Sequence, residues 1–152
     1  RKKMLNNTAQ YLSMPTRNIE LNLMQAAAVL SNKKLKIPNI NIEASRGTGK
    51  STVLGWFIKE AVKQMPRSTG IIVGETFIQI KSRTLPSTKE GMEMFGLFEG
   101  IDYVVGKCGK DLGFEMPFQA PDSWINVIHF RNGAIAVMVS LDNPNSGRGL
   151  NA

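Results

Sequence analysis

The residues best suited to chemistry stand together at 44–52: Ala44, Ser45, Arg46, Gly47, Thr48, Gly49, Lys50, Ser51 and Thr52. They match the phosphate-cradling pattern G-x-x-x-x-G-K-[ST] at every position but the first, where alanine replaces glycine. Each matching residue type answers a need of a highly charged anion. Gly47 and Gly49 allow backbone conformations closed to other residues, so successive N–H groups can converge on phosphate oxygens. Lys50 would reach the β- and γ-phosphates of ATP, and the Ser51 hydroxyl would bind Mg2+. A helix starting here would add the positive end of its dipole. Ser45, Thr48 and Thr52 complete the expected phosphate-binding set, and Ala44 is a small residue at a strand end that weakens the motif little. Arg46 suits two roles. Its guanidinium could reach the γ-phosphate or a neighbouring subunit, or it could form an ion pair on the loop surface.

A strand before such a loop and an amphipathic helix after it are the structural context that confirms the motif. Ile40, Asn41, Ile42, Glu43 and Ala44 alternate as a short strand. Over 51–64, Val53, Leu54, Phe57, Ile58, Ala61 and Val62 form one apolar helical stripe, which Met65-Pro66 ends. Upstream, Leu21, Met24, Ala28 and Val29 have helical spacing within 19–30. Downstream, Ile71-Ile72-Val73 between Gly70 and Gly74 predicts a short parallel strand buried on both faces. Residues 77–85 and 86–98 read as helical, and Tyr103-Val104-Val105 is a short apolar piece in a glycine-rich stretch. Two β-prone runs flank Arg131-Asn132-Gly133, the strongest short-range hairpin signal, which predicts a β-hairpin at 124–140. Together these elements predict a single α/β domain over 1–152. The expected architecture is a three-layer P-loop fold with a largely parallel sheet, its central strands ending near Ala44 and Val73.

Composition narrows the alternatives. In 152 residues there is one cysteine, Cys108, and one histidine, His129, so an intrachain disulfide and a cysteine- or histidine-rich metal site are excluded. His129 in a strand reads as a satisfied polar residue, Cys108 as a passive thiol, and Trp56 and Phe57 as core. No apolar run approaches the roughly 20 residues that span a bilayer, which predicts a soluble intracellular protein. Residues 1–50 hold nine Lys or Arg against two Glu, whereas 51–152 hold ten of each sign. The basic excess, including Lys33, Lys34 and Lys36, suits either contact with the phosphates of DNA or a solvated loop.

ATP hydrolysis further needs a carboxylate on Mg2+ and a group that orients water. Glu75 after the 71–73 strand and Asp142 after the 134–141 run are candidates. The expectation, though, is an acidic pair beyond Ala152, with the sheet cut before the strand that bears it and full turnover beyond this piece alone.

The chain resembles the N-terminal ATPase region of the large terminase subunit of tailed bacteriophages. The resemblance rests on the loop S-R-G-T-G-K-S-T with arginine at 46, on the 70–80 strand and helix start, on the Asn132-Gly133 hairpin, and on Gly147-Arg148-Gly149-Leu150-Asn151-Ala152. It implies ATP-driven translocation of double-stranded DNA into a procapsid by a homo-oligomeric ring. It also implies portal protein and small terminase subunit as partners, the host cytoplasm as location, and a nuclease domain outside this chain. Arg46 would then be a candidate arginine finger. Gln25 would be a candidate adenine contact, with Gln10 an alternative. Competing readings are another P-loop ATPase such as a helicase, or a nucleotide-binding module that never hydrolyses.

Overall fold

The structure, a computed structural model, describes residues 18–142 other than 38, 44 and 46. Helix α1 (Leu23–Lys33) and helix α2 (Lys50–Gln64) lead into strand β1 (Thr69–Gly74). A helical turn α3 (Phe77–Gln79) runs through a π-helical turn, Ile80–Thr84, into α4 (Leu85–Met94). Strands β2 (Tyr103–Val105), β3 (Val127–Phe130) and β4 (Ile135–Ser140) follow. The sheet order is β1-β4-β3-β2.

β1 pairs with β4 in parallel, from Thr69 opposite Ile135 to Gly74 opposite Ser140, while β3–β4 and β2–β3 are antiparallel. The fold is therefore mixed α/β, but among the described residues the sheet is mixed too, not largely parallel as expected. β3 and β4 are joined by a tight turn, which forces antiparallel neighbours; β1 is separated from β4 by the helices and by β2 and β3, the long connection that a parallel pairing requires. The expected hairpin is present. Phe130 N–H donates to Ala134 O at 2.9 Å and Gly133 N–H to Phe130 O at 3.0 Å. Gly133 takes a φ of 81°, the left-handed region that explains glycine there.

α2 and α4 cover one face of the sheet. Ile58, Met92, Ile128, Phe130, Ala136 and Met138 belong to the resulting core. The two helices meet backbone to backbone. A Cβ on Gly55 would lie 2.5 Å from the carbonyl carbon of Gly91, and one on Gly91 would lie 2.2 Å from the Thr52 carbonyl oxygen. Residues 77–94, expected as two helical segments, form one nearly continuous helical run. Pro86 has no N–H for an i−4 bond, and just ahead of it the Leu85 N–H reaches back five residues to Ile80 O, which closes the π turn.

Other expectations are corrected. Residues 39–43 form no strand, and Ala44 lies outside the described residues. A strand needs a neighbour to complete its ladder, and among the described residues no strand pairs with this segment. Its alternation survives only as an in-and-out pattern, with Ile40 and Ile42 half-buried and Asn41 and Glu43 exposed. Among the described residues β1 is an edge strand rather than a doubly buried one. Ile72, opposite Met138, faces the helices, whereas Ile71 and Val73 on the other face are 47% and 56% exposed. The α2 stripe is also only partly covered. Val53 and Ile58 are buried, while Leu54, Phe57 and Ala61 line an apolar groove of about 240 Å³ against β1.

Gly91→Ala tests the helix contact. In an open helix the change stabilises by about 0.5–1 kcal/mol. Here the new methyl group must push α2 and α4 apart, so the expected result is a loss of about 1–3 kcal/mol, read as a Tm lower by several degrees. A raised Tm would contradict the contact.

Candidate functional site

α2 fixes where the loop can lie. At its C-terminal end the Asn132 side chain donates to Val62 O at 2.7 Å, tying the helix to the turn that starts β4. α2 therefore runs antiparallel to β1 and β4, and its N-terminus with the loop points toward the end of the sheet where both strands finish. There Asp142 N–H donates to Glu75 O at 3.1 Å, just past the paired Gly74 and Ser140. The two carboxylate residues singled out separately in the sequence thus follow adjacent strand ends. Ser140 Oγ also donates to the Asp142 carboxylate.

The loop turns through Gly47 and Gly49, with φ of 81° and 79°. Gly49 is the N-cap of α2 and, lacking a side chain, offers no side-chain cap. Its carbonyl accepts the Val53 N–H at 3.1 Å, which opens the helix. Lys50 Nζ donates to Ser45 O at 2.7 Å and to Thr48 Oγ1 at 3.5 Å, and Thr48 Oγ1 itself donates to Ser45 O at 3.0 Å. The lysine ammonium is thereby held over the loop and not extended into solvent. Ser45 and Gly47 are exposed, while Thr48, Gly49, Lys50, Ser51 and Thr52 are half-buried. Lys50 and Ser51 open onto a recess of about 300 Å³ lined by Ile40, Ile42, Leu54 and Phe57. Seven of the eight expected phosphate- or base-binding residues belong to this loop and helix start. Arg46 lies outside the described residues, as do Gln10 and 147–152.

Gln25, the eighth, joins them from α1. It is 9% exposed, and the N-terminus of α1 abuts the loop. Asn22 caps the helix by accepting the Gln25 N–H at 2.9 Å, and Gln25 Oε1 accepts the Asn22 N–H at 3.0 Å. Asn22 Nδ2 then donates to Thr48 O at 3.1 Å, and Gln25 Nε2 to Gly49 O at 3.4 Å. Asn22 is the site residue that the sequence reading missed. The signal was there, since Asn22-x-x-Gln25 has the spacing of a capping box; the apolar spacing from Leu21 drew the helix start too early.

The remaining candidates are structural. His129 is fully buried; Gly109 N–H donates to its Nδ1 at 2.9 Å, and its Nε2 lies 2.8 Å from Glu115 O. Burial pushes its pKa below the usual histidine range, against the opposing backbone hydrogen bond to Glu115. It is a neutral core residue with both nitrogens engaged. Trp56, half-buried, packs edge-on to Phe95 with centroids 5.3 Å apart, and Lys33 Nζ lies 6.0 Å over its ring. Cys108 Sγ contacts Met116 Sδ at 3.9 Å. Among the described residues there is no group of three or more His, Cys, Asp or Glu arranged to hold a metal ion, and no helix long and apolar enough to cross a membrane.

Comparison with models of protein families, with curated proteins and with solved structures finds no match to this chain.

The two loop glycines differ in a way that can be measured. A Cβ at Gly47 would meet nothing within 4 Å, whereas one at Gly49 would lie 2.2 Å from Gln25 Nε2. Both alanine variants carry the left-handed strain of about 1–2 kcal/mol, but Gly49→Ala must also expel the Gln25 amide. Thermal unfolding is expected to rank Gly49→Ala below Gly47→Ala by several degrees; equal Tm values would contradict the packing of Gln25 on Gly49.

Proposed function

We propose that the loop at 44–52 binds the triphosphate of ATP with Mg2+, and that the chain is the ATP-binding part of a motor that translocates double-stranded DNA, of the terminase large-subunit kind. One observation carries the nucleotide reading. Two glycines at left-handed φ stand directly before a 15-residue helix whose first residue, Lys50, holds its ammonium over the loop. A multiply charged anion calls for backbone N–H groups, a helix N-terminus and a cation acting together, and these residues supply each of the three. In this reading Lys50 moves from Ser45 O to the β- and γ-phosphates, Ser51 Oγ takes a place on Mg2+, and Ser45, Gly47, Thr48, Gly49 and Thr52 line the phosphates. Glu75 and Asp142, just past the ends of β1 and β4, are two carboxylates toward the same end of the sheet as the loop.

The motor reading is supported by the terminase-like sequence features and by the basic excess in residues 1–50, of which Lys33, Lys34 and Lys36 are exposed at the end of α1. Arg46 is the proposed arginine finger. Portal protein, small terminase subunit, a ring of copies and the host cytoplasm at the procapsid follow from the same resemblance.

The test of the site is Lys50→Ala. Charged hydrogen bonds to the anion are lost, so Mg-ATP affinity in a calorimetric titration is expected to fall by about 10- to 100-fold, with Tm little changed. Unchanged affinity would remove the site assignment.

A further inference from the structure

The contacts between α1 and the loop do more than close a helix end. In the capping box Asn22 uses its side-chain oxygen on the Gln25 N–H, and Gln25 uses its side-chain oxygen on the Asn22 N–H. Both amide oxygens are thus committed to α1, and both amide nitrogens point out of it. Each finds a carbonyl of the loop, Thr48 O for Asn22 and Gly49 O for Gln25. The peptide unit is planar and trans, so a carbonyl drawn to one side sends the N–H of the next residue to the other. Drawing Thr48 O toward Asn22 turns the Gly49 N–H away from α1. Gly49 O, held at 3.1 Å by the Val53 N–H of α2, takes the Gln25 amide as a second donor at 3.4 Å, which braces the same peptide plane with the Lys50 N–H on its far side. These consecutive peptide units lie in the part of the loop that must present N–H groups to phosphate. The position of Gln25 also gives residue 49 a second reason to be glycine, because any Cβ there would occupy the place of the Gln25 amide.

We propose that Asn22 and Gln25 are positioning residues that hold the peptide planes of Thr48 and Gly49 in the anion-binding orientation before nucleotide arrives. This role rests on the reading of the loop as a triphosphate site. It makes the contribution of α1 independent of the base, because what the two amides set is the phosphate cradle. Pre-organisation of this kind raises affinity by reducing the ordering that binding must otherwise impose.

Asn22→Ser separates capping from positioning. Serine caps a helix about as well as asparagine, yet its hydroxyl is too short to hold both the Gln25 N–H and Thr48 O. Asn22→Asp, also a good cap, keeps the acceptor and lacks the donor. Both variants of the full chain would be titrated with Mg-ATP and with Mg-tripolyphosphate, which has no base, alongside circular dichroism and Tm. The expected result is unchanged helicity and Tm for Asn22→Ser, with affinity for both ligands weakened by the same factor, about 3- to 10-fold. Unchanged affinity in both variants would overturn the positioning role while leaving the triphosphate site intact. Loss of ATP affinity with tripolyphosphate affinity kept would also overturn it and place these amides at the adenine. Absence of wild-type binding to either ligand would overturn the triphosphate reading and this role with it.

Discussion

The packing of the helices depends on one constraint, the crossing of α2 and α4 at Gly55 and Gly91, where backbone lies on backbone with no side chain between. A side chain at either glycine would hold the helices apart, because protein interiors are packed too densely to absorb an extra methyl group without displacement. The contact reaches the carbonyl of Thr52, inside the first turn of α2, so it acts close to the loop. α4 is in turn seated on the sheet by Met92, which is fully buried. The helix crossing is thus one of the links by which the core positions the loop, beside Ile58 of α2 in the core itself.

Both ends of α2 are secured by asparagine amides that serve two structures at once. At the C-terminal end Asn132 shapes the hairpin turn, accepting the Ala134 N–H at 3.2 Å, and donates to Val62 O. At the N-terminal end Asn22 caps α1 and donates to Thr48 O. An amide suits this work because it has an acceptor and donors on one rigid plane, so a single side chain can satisfy two groups in fixed relation. The apolar groove between α2 and β1 shows the contrast. There Leu54, Phe57 and Ala61 meet β1 incompletely.

Much of this was legible in the sequence, where the determinants are local. Asn132-Gly133 specified its hairpin because the turn needs a left-handed residue and glycine supplies it. The loop and α2 were legible because the glycine, lysine and hydroxyl types sit at fixed offsets before an apolar stripe. What escaped depends on distant neighbours. The alternation at 40–43 is that of a strand, but alternation cannot reveal that among the described residues no partner pairs with it. Ile71-Ile72-Val73 is apolar enough for a buried strand, yet its place at the sheet edge is set by the order of β2, β3 and β4. Asn22 was missed for a different reason: its capping partner was visible three residues on, but Thr48 is 26 residues away. The same holds for Glu75 and Asp142, whose adjacency follows from the parallel register of β1 and β4.

The most direct measurement is an amide-resolved NMR titration of the isotopically labelled chain with Mg-ATP. If the loop is the triphosphate site, the largest shifts fall on the backbone amides of Gly47, Thr48, Gly49, Lys50 and Ser51 and on the side-chain amides of Asn22 and Gln25, and they saturate together. Shifts confined to the groove between α2 and β1, or no saturable shifts at all, would contradict it.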